Sequence, residues 1–166
     1  MNYLNILKKA EKKEIKARDY YKFLAERSID KNSTETLIFL SGEEEKHRKK
    51  IRQFIDSTAG ERKKISVRES PDVERIWKKH MDALDKIRDD IFLHTDEPTI
   101  VQKAVDIEKN SLEMYKKAQA STEEKNLKKL FGLLSKAEER HLELVMKLLK
   151  KVVWLYEEFP ETRPNL

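Results

Sequence analysis

The sequence predicts an all-α protein, a four-helix bundle built from two helical hairpins with an additional crossover helix between them. Three observations carry that prediction. Gly (3) and Pro (4) are scarce in the 166 residues, charged residues make up 40%, and no alternating strand pattern of useful length occurs. The chain contains an internal repeat at an offset of 94 residues. Each copy carries one Glu-x-x-His: Glu44 with His47, and Glu138 with His141. On a helix, residues three apart return to nearly the same face, so each motif aims a carboxylate and an imidazole at one spot.

The repeat extends well beyond the motifs. Glu14 pairs with Glu108 and Tyr21 with Tyr115 at the same offset, and the apolar frame follows through Leu7 with Val101, Ala10 with Ala104, Leu40 with Leu134, Ile51 with Val145 and Phe54 with Leu148. With 21 Glu and four His, a single Glu-x-x-His could arise by chance. Four matched positions at one offset could not.

The first helix is expected from about Asn2 to Ser28, capped by Asn2 or Asn5. Lys31-Asn32-Ser33 reads as the turn. The second helix then starts near Thr34, with Asn32 and Glu35 spaced as a capping box, and reaches about Ser57. So short a connection makes the two antiparallel neighbours. A linker, Thr58 to Glu69, precedes Ser70-Pro71, an N-cap with Pro at the first helical position. The helix it opens, near residues 71–93, carries Val73, Ile76, Trp77, Met81, Leu84, Ile87 and Ile91 on one stripe and has no counterpart in the repeat. It is the crossover, and Trp77 should pack on the bundle or on a second subunit. His80 and His94 lack carboxylates at ligand spacing and read as structural or exposed histidines. The turn at His94–Pro98 starts the third helix, which runs to about Ala120. Ser121-Thr122-Glu123-Glu124 reads as a capping box for the fourth, which runs past Trp154. The Pro-containing tail from Phe159 should leave the bundle. One domain, 1–166, is expected, with helix pairs at about 2–57 and 97–157 and a crossover at about 58–96.

The motifs lie on apolar seams. Helix four reads Phe131, Leu134, Glu138, His141, Val145, Leu148, and helix two reads Leu37, Leu40, Glu44, His47, Ile51, Phe54. Helices one and three read Leu7, Glu14, Tyr21 and Val101, Glu108, Tyr115. Four carboxylates in a bundle core must be protonated, paired or metal-bound. Two divalent metals would balance four negative charges. One Glu from each of two helices, with Glu-x-x-His from each of the other two, is the known ligand pattern of ferritin-like di-iron and di-manganese carboxylate bundles. The candidate metal ligands are therefore Glu14, Glu44, His47, Glu108, Glu138 and His141, with Glu44 and Glu138 bridging. Oxygen and imidazole donors without thiolate suit two iron ions, with manganese or zinc possible. Tyr21 and Tyr115 are the candidate catalytic residues: each phenol could bond a ligand carboxylate of the opposite half and orient it, or could be a core aromatic at a seam position. Glu43, Glu45 and Glu139 read as solvated neighbours.

The absence of Cys excludes disulfides, thiolate catalysis and Cys-based metal sites. Lacking a signal peptide or a run of about 18 apolar residues, the protein is expected to be soluble and cytoplasmic. The net charge of +5 comes from Lys-rich faces interleaved with Glu, which read as solvated helix surface, so nucleic acid is not expected as a partner.

The stretches Glu14–Tyr21, Glu44–His47, Glu108–Tyr115 and Ala137–His141 resemble the di-iron domain of the rubrerythrin family within the ferritin-like superfamily, over about residues 2–56 and 98–150. The resemblance implies a non-haem peroxidase-type oxidoreductase that reduces hydrogen peroxide or dioxygen, and a homodimer. Rubrerythrins that carry a rubredoxin domain hold its iron on cysteines. This chain has none, so electrons should come from a separate donor such as a rubredoxin. The family's extra Glu, one turn past the first ligand of helix three, is replaced by Ser111 beside Asn110, and Glu113 faces elsewhere. The six-ligand set that remains is closer to a plain ferritin-like centre, which keeps ferrous oxidation and iron handling open as the alternative, together with a non-enzymatic, metal-stabilised helical module.

Overall fold

The computed structural model describes residues 3–58, 75, 77–79, 81–82, 84–86 and 96–159. Four long helices carry it: α1 (Tyr3–Ala25), α2 (Lys31–Thr58), α3 (Glu97–Ser121) and α4 (Lys125–Glu158). α1 packs chiefly on α2 and α3 on α4, so the two copies of the repeat are two helical hairpins, and the hairpins join into a ferritin-like bundle with its crossover helix. Residues 75, 77–79, 81–82 and 84–86 of the crossover are helical. The linker before it, the Ser70-Pro71 start, His80, His94 and the tail beyond Phe159 lie outside the described residues.

Two helix starts differ from the sequence reading. α2 begins at Lys31 and is capped by Asp30, whose carboxylate accepts from the Ser33 N–H at 2.8 Å and the Ser33 hydroxyl at 2.9 Å. Asp30 with Ser33 outcompetes the Asn32–Glu35 box because it satisfies a free amide two residues earlier. The Ser121–Glu124 box does not form either. Ser121 ends α3, and Glu124 itself caps α4 by accepting from the Asn126 and Leu127 amides. The longer Glu side chain reaches both amides at once, so the first turn needs no Ser. Asp96 caps α3 through the Thr99 N–H at 2.9 Å, with Pro98 in the first turn. Asn5 falls inside α1.

One buried side chain ties both hairpins together at one end. Glu97 is 1% exposed and accepts from Ser28 Oγ at 2.5 Å and the Ile29 N–H at 2.9 Å, which pins the α1–α2 turn to the start of α3. Its own N–H donates to Tyr156 Oη of α4 at 3.2 Å.

The core falls into two apolar clusters. One holds Leu7, Ala10, Ile51, Trp77, Tyr115 and Phe131; the other holds Ala17, Tyr21, Leu40, Leu84, Ile107 and Val145. Each fully buried large apolar side chain contributes roughly 1.5–3 kcal/mol, which is what allows a polar layer between the clusters to be tolerated. Trp77 and Leu84 of the crossover are both buried, one in each cluster. Trp77 meets the Tyr115 ring edge-on at 6.5 Å, so the described part of the crossover stripe packs on the bundle. A surface ion pair between half-buried Lys16 and exposed Asp85, at 2.6 Å, holds it to α1.

Candidate metal centre

The polar layer takes its members from all four helices because each lies at an inward phase of its own seam. Glu14 on α1 sits between Ala10 and Ala17, and Glu44 and His47 on α2 sit between Leu40 and Ile51. Glu138 and His141 on α4 sit between Leu134 and Val145, and all of these flanking residues are buried. Glu108 follows Ile107 on α3. Glu14, Glu44, Glu108 and Glu138 are 0% exposed, His47 1% and His141 5%. The six sequence-predicted ligands come together in two overlapping groups. Atoms of Glu14, Glu44, His47 and Glu138 lie within 4.8 Å of one another, as do atoms of Glu44, Glu108, Glu138 and His141. Glu44 and Glu138 belong to both. The imidazoles of His47 and His141 stack at 5.4 Å.

The tyrosines bond across the repeat. Tyr21 Oη donates to Glu108 Oε1 at 2.7 Å, and Tyr115 Oη donates to Glu14 Oε1. Burial first, and the carboxylates beside them second, raise both phenol pKa values well above the ordinary range, so both remain donors.

A seventh member went unread in the sequence. Lys13 is 0% exposed, and its Nζ lies 3.1 Å from Glu14 Oε2, 3.1 Å from Glu138 Oε1 and 3.5 Å from Glu44 Oε2. It also lies 5.3 Å from the centre of the Tyr115 ring. The repeat held the signal. The counterpart of Lys13 at the 94-residue offset is Ile107, which is 1% exposed, so the Lys13 position was an interior one.

Electrostatics divide the layer. Burial raises the Glu14 carboxyl well above its ordinary pKa against the pull of Lys13, and burial with Glu138 and Glu44 does the same to Glu108. Burial also opposes ionisation of Glu138, but the Lys13 ammonium and the two imidazoles outweigh it and hold Glu138 well below the usual range. Glu44 is lowered despite burial and Glu138, through Lys13 and hydrogen bonds from Glu14 and His47. Burial disfavours both cations, yet Lys13 is raised well above the ordinary lysine value by Glu138, Glu14 and Glu44, and His47 is raised to about 10 by Glu138 and Glu44.

Whether the residues fit metal is decided by what remains unsatisfied. Glu44 Oε1, Glu108 Oε2, Glu138 Oε2 and His141 Nδ1 are buried and have no hydrogen-bond partner among the described residues. Such atoms are costly unless a cation meets them, and all four belong to one of the two groups above. The donor set fits. Of the neighbours, Glu45 pairs with Arg48 at 2.7 Å and Arg18 at 2.9 Å, and Glu139 is exposed and pairs with Lys116 at 3.0 Å. Glu43 is half-buried, with Oε2 3.9 Å from His141 Nε2, closer to the site than a solvated residue. Ser111 is 0% exposed, its hydroxyl without a hydrogen-bond partner among the described residues, and Glu113 is exposed on Lys117.

A four-helix bundle with carboxylates and imidazoles of this pattern across its core is of the ferritin-like class. The family model for Rubrerythrin matches residues 5–149. The chain belongs to the rubrerythrin family, which supports a di-iron carboxylate protein. Among solved structures, a hypothetical protein from Pyrococcus furiosus is similar, with a TM-score of 0.64 and 21% identity over 92% of this chain and 91% of that one, a likeness of fold alone. The comparison with curated proteins finds no match.

Proposed function

We propose that the protein is a di-iron oxidoreductase of peroxidase type, reducing hydrogen peroxide or dioxygen with electrons from a separate donor such as a rubredoxin. The observation that carries this reading is the layer of four buried carboxylates and two imidazoles, four of whose atoms lack a hydrogen-bond partner among the described residues. Glu44 and Glu138, common to both groups, would bridge two metals. Glu14 with His47 and Glu108 with His141 would each complete one position. Iron is the expected metal, with manganese or zinc able to use the same donors. A di-ferrous pair would supply two electrons together; with two protons these reduce one hydrogen peroxide to two waters.

The chain's own residues set the conditions. Tyr21 and Tyr115 fix the orientation of Glu108 and Glu14 from the opposite half of the repeat. The carboxylates are sealed from water, while His141, with 7% of its side chain exposed, is the member nearest solvent and meets the Phe39 ring edge-on at 6.4 Å. A small oxidant would enter there. No described helix is long and apolar enough to cross a membrane. Exposed apolar side chains on α2 (Ile38 59%, Phe39 50%) and α4 (Leu133 54%, Met146 45%) support a homodimer.

A second reading, ferritin-type ferrous oxidation, is favoured by Ser111 standing where rubrerythrins carry an extra carboxylate. Protein loaded anaerobically with ferrous iron separates the two. Steady peroxide consumption with reduced rubredoxin supports the first, and accumulation of more than two irons per chain supports the second. Stable iron binding with neither behaviour would reduce the centre to a structural one.

A further inference from the structure

The two halves of the polar layer are equivalent in their candidate ligands but not in what faces them. In the half made by Glu14, Glu44, His47 and Glu138, three of the four carboxylates of the layer already meet a cation, the Lys13 ammonium, at 3.1–3.5 Å. In the half made by Glu44, Glu108, Glu138 and His141, every member carries a buried atom with no hydrogen-bond partner among the described residues. The residue corresponding to Lys13 in that half is Ile107, buried and without charge. The asymmetry is therefore written into one position of an otherwise matched repeat.

We infer that Lys13 Nζ is a built-in competitor for one of the two metal positions, so that the centre fills in a fixed order. The Glu108–His141 position takes a divalent cation first. The Glu14–His47 position takes one only after the lysine has swung its ammonium off Glu14 and Glu138. This rests on the reading of the layer as a metal centre and deepens it. Charge points the same way. Four carboxylates balance two divalent cations without help, and a lysine held among them leaves the loaded site one positive charge in excess. One divalent cation together with Lys13 leaves it one positive charge short of balance, half of what a lone divalent cation would leave. A lysine stem has four rotatable carbons, so moving the head group requires no backbone change.

The test is an anaerobic titration of the chelator-treated full-length protein with ferrous iron, followed by calorimetry and by iron stoichiometry after gel filtration. Wild type should bind in two steps, the second weaker by about 10–100-fold, the range by which neighbours of metal ligands commonly shift affinity. Lys13→Met, which keeps the volume and removes the charge, should strengthen the second step by that factor and leave the first within about threefold. Lys13→Ile, which makes the two halves alike, should do the same. Lys12→Met removes one charge from the exposed neighbour and should change neither step. Glu108→Gln should weaken the first step and Glu14→Gln the second. Wild type needs no variant to be decisive: two equally tight equivalents overturn the ordering and leave the metal centre standing. A second step unchanged in both Lys13 variants, with folding verified by circular dichroism, also overturns it. Absence of iron binding in wild type and variants alike overturns the metal centre itself and the inference with it.

Discussion

Replacing Glu138 should injure the protein twice, once without metal and once with it. Without metal, Glu138 is the carboxylate on which the buried cations rest: Lys13 Nζ lies 3.1 Å from Oε1 and His47 Nδ1 3.6 Å from it. Glu138→Ala leaves a fully buried ammonium with Glu14 at 3.1 Å, whose carboxyl burial pushes well above its ordinary pKa, and Glu44 at 3.5 Å. Removing one partner of a buried ion pair costs about 3–5 kcal/mol. Glu108→Ala breaks a hydrogen bond with Tyr21 and leaves that hydroxyl orphaned in the core, about 1–3 kcal/mol. Glu139→Ala, about 100° further round α4, removes only a surface pair with Lys116, about 0–1 kcal/mol. With metal, a second difference appears. A cation at 100 times its dissociation constant adds about 2.7 kcal/mol to the folded state, and Glu138→Ala, which touches both groups, should forfeit it for both positions. Glu108→Ala should forfeit it mainly for one. Urea denaturation of each variant, with chelator and with ferrous iron under nitrogen, yields both quantities, and iron analysis checks the second. The expected order is Glu138 worst, Glu108 intermediate and Glu139 near wild type. Wild-type iron content in Glu138→Ala, or a metal-free loss below about 1 kcal/mol, would refute the reasoning.

Tyr21→Phe should cost about 1–2 kcal/mol in the metal-free protein, because Glu108 loses its donor without a cavity being opened; denaturation of Tyr21→Phe beside Tyr115→Phe checks this. Glu97→Ala should destabilise by about 2–4 kcal/mol while leaving iron stoichiometry at the wild-type value, since it unties the α1–α2 turn from α3 far from the polar layer. A loss of iron in that variant would show that the hairpin clamp also sets the ligand geometry. Gly42→Ala should stabilise by about 0.5–1 kcal/mol, because Gly42 is exposed within α2 and an added Cβ meets nothing within 4 Å. Sedimentation should give a homodimer at micromolar concentration, and a monomer under those conditions would remove that proposal.

The seams were legible because their spacing repeats. Leu37, Leu40, Glu44, His47 and Ile51 sit at one helical phase, and only a buried stripe gives two charged residue types a reason to interrupt an apolar run there. The helix starts were less legible because several short polar residues compete within a few positions of each other. Asp30 and Asn32 both offer cap-like spacing near the start of α2, and the choice depends on which amide the folded turn leaves free, which the hairpin packing decides. At α4 the competitor was a capping box whose Ser121 the preceding helix had already absorbed. These losses are local and leave the site where the seams put it.

Lys13 escaped for a different reason. A lysine in a chain with 36 Lys and Arg carries no compositional signal, and amphipathic periodicity assigns any lysine to the solvent face by default. The repeat overrides that default. Ile6 and Lys13 correspond to Ile100 and Ile107, and three of these four are apolar and buried. A cation in such a row, one residue before a seam carboxylate, can be accommodated only if it points at negative charge, because an unpaired buried ammonium is too costly to keep. The same row makes its effect one-sided. Ile107 leaves Glu108 to be satisfied by Tyr21 and by whatever cation meets its free oxygen, whereas Glu14 already has both Tyr115 and Lys13. Two divalent metals balance four carboxylates only when the Lys13 ammonium, one further positive charge, is moved away from them. That charge decides which of the two positions is the harder to fill.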